Sequence, residues 1–209
     1  MGDKFRNLDS DKQQKIINAA LKEFAVNGYE LASTNQIVEE AEISKGSLFY
    51  YFKTKEELFK YLIEYSMDSV TDDYLKKIDF EEEDLIKMYR KMSKEKIRHY
   101  TNNPYVFNFL GTIYLNYKKI ELADDLMERL FAIREKVRTN IFDNIDRSLF
   151  RDDLPADQVI KLIRWSIEGY QQELFDDLQG KNISEIELES YWDEFDDFLD
   201  ILRKIYYKE

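Results

Sequence analysis

Ser33-Thr34-Asn35-Gln36-Ile37-Val38-Glu39-Glu40-Ala41-Glu42-Ile43-Ser44-Lys45-Gly46-Ser47-Leu48-Phe49-Tyr50-Tyr51-Phe52-Lys53-Thr54-Lys55-Glu56-Glu57-Leu58 packs three helix starts into one short stretch. Ser33 with Gln36, and Thr54 with Glu57, read as capping boxes, whose side chains satisfy the orphan N–H groups of a first turn. Between them Ile37, Val38 and Ala41 give a helix of about two turns. Glu42-Ile43 makes a short turn, and Ser44 caps a third short helix with Leu48 and Phe52 four apart on one face. A helix that short buries one stripe, so Phe49, Tyr50 and Tyr51 cannot all follow Leu48 inwards. Some aromatic surface has to face outwards.

Two short helices joined by a tight turn, with the second exposed, is a geometry that can enter a DNA major groove. Lys45 and the helix N-terminus supply positive potential, Gly46 permits close backbone approach, and Ser47 and Tyr50 can donate to phosphates or base edges. A small helical subdomain presenting surface aromatics to a protein partner accounts for the same residues equally well.

Outward from this stretch the pattern remains helical. On the N-terminal side Ser10 and Gln13 form another capping box, Ile16, Ile17, Ala20, Leu21, Phe24 and Ala25 recur at helical spacing, and Asn27-Gly28 ends the helix. On the C-terminal side Leu58, Phe59, Leu62, Ile63, Met67, Val70 and Tyr74 make one apolar stripe over Lys55 to Tyr74, and the run Asp79 to Asp84 is an acidic helix start. Longer helices follow at about 81–102, 104–117, 120–148, 155–179 and 185–207. Asn103-Pro104, Asp153-Leu154-Pro155 and Gly180-Lys181-Asn182 separate them. The fold expected is all-α, with about nine helices in total.

The chain has 209 residues, two prolines and six glycines, and carries a net charge of −12. That sign argues against nucleic acid until its distribution is considered. Residues 1–60 hold nine Lys/Arg against ten Asp/Glu, a balance of −1, and residues 61–209 hold 22 against 33, a balance of −11. The acidity belongs to the C-terminal part. With no cysteine and a single histidine, His99, a disulfide framework, a thiolate zinc site and a cysteine nucleophile drop out, and no metal or cofactor is expected. The first residues lack an apolar signal core, and no later stretch approaches the roughly 20 apolar residues of a membrane span. The expectation is a cytoplasmic protein.

Within the stretch quoted, Ser33 to Val38, Ala41, Ile43 to Phe52 and Thr54 to Leu58 resemble the N-terminal domain of the tetracycline-repressor family; the resemblance covers about residues 10–60. It implies a three-helix DNA-binding domain with a helix-turn-helix at residues 1–55, and a larger helical ligand-binding and dimerisation domain at 56–209. It further implies a homodimeric transcriptional repressor released from a palindromic double-stranded operator by a small molecule, here unknown. By position, Thr34 resembles the family's phosphate-contacting residue, and Asn35 follows at a place that sometimes reads a base. Lys45, Gly46, Ser47, Phe49, Tyr50 and Tyr51 fall where the family meets the groove and its walls, and Lys55 where the fourth helix start meets phosphate. Two positions depart from the pattern. Glu42 stands where the family usually has Gly, at a cost of order 1 kcal/mol if its φ is positive, and Phe49 stands where Tyr is usual.

Residues 61–209 hold 12 Tyr, nine Phe and two Trp, enough to line a pocket as well as fill a core. The segment Tyr105 to Leu115 is apolar nearly all round, like a helix buried in a bundle. His99, Asn108, Thr112, Tyr114, Arg134, Trp165 and Glu168 are the candidate polar groups of a ligand pocket, each with a purely structural alternative. Abundant aromatics and surplus carboxylates favour a flat, apolar, cationic ligand. The amphipathic helices over 155–207 can close a four-helix dimer interface or only complete the subunit's own core. Two other classes compete: a helical interaction or scaffold protein without DNA binding, and a carboxylate-metal bundle enzyme. The latter needs paired Glu-x-x-His motifs, whereas here Glu95 and His99 stand four apart with no second histidine.

Overall fold

The computed structural model describes residues 3–116, 124–178, 181, 185–187 and 189–208. Within them the chain is helical, as the periodicity requires, with ten α-helices. The additional one is α1 (Asp3–Arg6), a single turn whose Phe5 is fully buried. It is followed by α2 (Ser10–Leu31), α3 (Thr34–Glu40), α4 (Lys45–Tyr51) and α5 (Lys55–Ser69). Then come α6 (Leu85–Asn102), α7 (Pro104–Asn116), α8 (Asp124–Asp143), α9 (Ala156–Leu178) and α10 (Glu189–Tyr206). The start expected at 120, Gly180 and Asn182 of the expected break, and the side chain of Arg134 lie outside the described residues.

The caps explain where these helices begin. Ser44 Oγ accepts from Ser47 N at 3.0 Å and Thr54 Oγ1 from Glu57 N at 3.0 Å, as their spacing requires. Ser10 does not cap α2: Asp9 stands one residue earlier and its carboxylate accepts from Asp11 N, leaving Ser10 in the first turn. Gln13 instead reaches back to the carbonyls of Arg6 and Leu8, at 3.1 and 2.8 Å. Ser33 occupies the cap position of α3 without a side-chain bond, and its N–H donates to Glu23 at 2.7 Å. At Gly28 the φ of 65° breaks the axis of α2. A Cβ there would meet nothing within 4 Å, so the backbone alone asks for glycine.

The stripe from Lys55 runs as α-helix only to Ser69. Val70–Tyr74 is a π turn and Leu75–Lys77 a 3₁₀ turn. Thr71 Oγ1 donates back to Met67 O at 2.8 Å, a bond that loosens the local helix ladder.

Two apolar cores result. The first joins Phe5, Leu21, Phe24, Ile37, Leu48, Phe52, Leu58 and Leu62 to Phe109 and Ile113 of α7, so α2 to α5 rest directly on the bundle. The second joins Leu85, Ile86 and Met88 of α6 to Ile141, Val159, Ile163, Leu199 and Leu202. One buried carboxylate ties its ends together. Asp84 accepts from Ile86 N and Lys87 N at 3.1 Å each and from Tyr207 Oη at 3.1 Å, and it pairs with Arg203. Burial pushes the Tyr207 hydroxyl well above the usual phenol range, so it remains a donor.

Arg203→Ala removes a charge-assisted bond from a carboxylate that keeps its other partners, a loss of about 1–3 kcal/mol. Asp84→Ala also removes the α6 cap and strands Arg203, and is expected to cost more. Urea unfolding of both variants checks the order.

Candidate nucleic-acid interface

The turn between α3 and α4 is built from three backbone bonds. Ala41 N reaches Ile37 O at 2.9 Å, Glu42 N reaches Glu39 O at 3.2 Å, and Ile43 N reaches Val38 O at 3.0 Å. The last two are the paired bonds of a Schellman motif, which places Glu42 at the position that favours a left-handed residue. Its φ is 54°, the only positive value among the described non-glycine residues. Two ion pairs bind this unit to α2, Lys15 to Glu42 and Lys22 to Glu40, both at 2.7 Å. The bond from Lys15 holds the Glu42 carboxyl below its usual range.

Leu48 and Phe52 point into the core as their spacing requires. That orientation leaves Lys45 and Gly46 exposed and Tyr50 59% exposed, with Asn35 and Gln36 exposed on neighbouring α3. Ser47 is half-buried, its Oγ 2.8 Å from that of Ser44. A Cβ on Gly46 would meet only Ser44 Oγ at an ordinary 3.7 Å, so nothing inside the chain demands glycine there. Thr34 and Phe49 are half-buried. Tyr51 is turned partly inwards, edge-on to Phe5 with ring centroids 5.8 Å apart. Lys55 donates to Glu30 O at 3.1 Å and lies 5.1 Å over the Tyr29 ring, joining the end of α2 to the start of α5.

Sequence reasoning missed Lys4, whose Nζ stands 4.3 Å from the centroid of Tyr50. Its signal was one apolar residue, Phe5, in a polar run too short to show a period.

The candidate pocket residues do not converge on one cavity. Of them, His99 alone lines a polar cleft of about 240 Å³, with Asp73, Lys77, Glu95, Arg98, Asn102 and Asn103. Burial lowers the His99 pKa, against the opposing pull of Asp73. His99 Nε2 and Asn108 Oδ1 are both buried without a described protein hydrogen-bond partner. Thr112 Oγ1 donates to Ala25 O at 3.1 Å. Tyr114, Trp165 and Glu168 are exposed, the last two on α9. Among the described residues no group of three or more carboxylate or histidine side chains is placed to hold a metal ion, and no helix is long and apolar enough to cross a membrane.

Residues 16–62, from within α2 to within α5, match the model of the tetR family of bacterial regulatory proteins. The HTH-type transcriptional regulator QacR of Staphylococcus aureus is 49% identical over 47 residues, which span 22% of this chain and only 25% of QacR. The HTH-type transcriptional regulator YfiR of Bacillus subtilis is 27% identical over 197 residues, covering 88% of this chain and 91% of that protein. Among solved structures, a TetR family transcriptional regulator from Chloroflexus aurantiacus superposes with a TM-score of 0.63 at 22% identity, covering 99% and 98% of the two chains. The likeness of fold thus extends over the C-terminal helices, where sequence similarity is low.

The left-handed backbone at position 42 sets up a direct check. Glu42→Gly relieves the strain and Glu42→Ala does not, while both lose the exposed bond to Lys15. The glycine variant is expected to melt about 2–4 °C above the alanine variant; calorimetry of the pair measures it.

Proposed function

We propose that the chain, whose residues 16–62 match the tetR family of bacterial regulatory proteins, is a DNA-binding transcriptional regulator of that family, a homodimeric repressor released from a palindromic operator by a small molecule. The observation that carries this reading is α4: seven residues, anchored by Leu48 and Phe52, that hold Lys45, Gly46 and Tyr50 out into solvent. In this reading 1–55 form the DNA-binding domain and 56–209 the ligand-binding and dimerisation domain. Lys45, Ser47, Phe49 and Tyr50 meet base edges and groove walls, Gly46 lets the backbone approach, and Thr34, Asn35, Tyr51 and Lys55 complete the contact.

Dimerisation is supported by a stripe that the subunit leaves uncovered. Leu162 and Trp165 of α9 and Ile201 and Ile205 of α10 are all exposed, on helices whose opposite faces, Ile163, Ile167, Leu199 and Leu202, are buried in the second core. Pairing two such faces buries the apolar stripe and sets two copies of α4 about a two-fold axis. Successive major grooves lie about 34–36 Å apart, so a modest change in that spacing releases DNA. The element able to change it is α5, whose Leu58 and Phe59 lie in the core under α4 and whose far end runs into the π turn beside His99. A ligand that prefers the wide-spaced form shifts the population away from DNA.

The test uses a duplex enriched by the full chain from random-sequence DNA. Lys45→Ala and Tyr50→Ala are each expected to weaken binding by about 1–3 kcal/mol without changing the melting temperature, and unchanged affinity in both would remove the assigned face. Trp165→Glu places a charge in the apolar stripe and is expected to sediment as a monomer at micromolar concentration where the parent sediments as a dimer.

A further inference from the structure

Resting on that reading, we propose that α1 is a second DNA-contacting element, fixed beside α4 by Phe5 so that Lys4 and Arg6 reach the phosphate backbone. The segment lies before the residues that match the family model, which begin at 16.

A four-residue helix has no stability of its own, so its position must come from tertiary contact. Phe5 supplies that contact. It is fully buried, with ring centroids 5.8 Å from Tyr51, 4.7 Å from Phe52 and 5.4 Å from Tyr61. Two of those three rings stand at the end of α4, so the anchor fixes α1 to the recognition helix itself rather than to the bundle. Gln13 closes the other side by donating to the carbonyls of Arg6 and Leu8.

The anchor decides where the neighbouring charges go. Lys4 and Arg6 flank Phe5 and are both exposed. The Lys4 ammonium sits over the outward face of Tyr50, at 4.3 Å, where cation–π attraction holds it at the edge of the proposed contact surface. No described carboxylate lies within 4.0 Å of either cation, or of Lys45 and Lys53, whereas Lys15 and Lys22 behind them are bound to Glu42 and Glu40. The positive potential around α4 therefore has two sources, the helix-turn-helix and α1. DNA is the partner this charge fits, because a polyanion gains from each cation added along its backbone.

The experiment measures the affinity of the full chain for a duplex that it enriches from random-sequence DNA, from about 50 to 200 mM salt. Each phosphate that is no longer neutralised lowers the slope of log K against log salt by about 0.9. Lys4→Ala and Arg6→Ala, both at exposed positions, are expected to bind more weakly with shallower slopes, by about two for each because a dimer carries every substitution twice. Lys4→Arg is expected to keep the parent slope. Lys45→Ala is the reference. If it weakens binding while the Lys4→Ala, Arg6→Ala double variant keeps the parent slope and affinity, α1 is only a structural cap and the proposal is overturned. If no duplex is enriched, or Lys45→Ala also changes nothing, the repressor reading fails and the proposal falls with it.

Discussion

Everything on the side of the molecule proposed to meet DNA depends on the burial of Leu48 and Phe52. A seven-residue helix cannot nucleate or persist in water on its own hydrogen bonds. It exists because one face is sealed into the core with Phe5, Ile37 and Leu58. Sealing that face sets the register of the remainder. With positions 48 and 52 inward, residues 45, 46 and 50 have no route but outward. The aromatic run is thereby sorted, Tyr50 into solvent and Tyr51 against Phe5. The same contacts make the helix rigid, and rigidity is what allows an exposed side chain to read a groove without a large ordering cost.

Charge is arranged on the same principle. A protein of net charge −12 repels a polyanion unless the field near the contact differs from the field of the whole. Here the carboxylates close to α4 are held from behind. Glu40 and Glu42 are joined to Lys22 and Lys15 on α2, so they consume cations that do not face the proposed groove. The excess of acid lies beyond residue 60, where much of it caps helices or pairs across them, as Asp84 does with Arg203 and Asp196 and Asp200 do with Arg90.

Local chemistry was what the sequence made legible. Ser44 and Thr54 cap because a hydroxyl at that spacing has few alternatives, and Gly28 and Asn103-Pro104 interrupt helices for backbone reasons that need no neighbours. Glu42 stood out only through the resemblance, as a Glu where the family usually has Gly, and its φ is positive. What stayed hidden depends on distant partners. Asp9 takes the cap from Ser10, because two good caps stand side by side and spacing alone does not choose between them. Phe5 has no periodic company to mark it as core. The Asp84, Arg203 and Tyr207 cluster joins positions more than a hundred residues apart, and no spacing rule reaches that far. The pocket candidates were chosen by residue type, and type does not say which face of a helix a neighbour will cover. Trp165 illustrates the point, since it was a candidate for a pocket wall and here is 55% exposed on α9.

The first core also constrains how the proposed release can work. Phe24, Phe59 and Phe109, from α2, α5 and α7, form one aromatic triangle with centroids 5.0, 5.6 and 6.3 Å apart. Dense packing of this kind resists gradual deformation. A shift of α7 must therefore either carry α2 and α5 with it as one body or break the triangle. The polar cleft at His99 lies where the α-helical ladder of α5 has already given way to a π turn. In the proposed release, movement that begins there would pass through α5 to the helix proposed to face DNA. A change of helical ladder at one end and a stripe packed into the first core along the shaft are what the proposed lever would use, and in this chain both lie within residues 55 to 74.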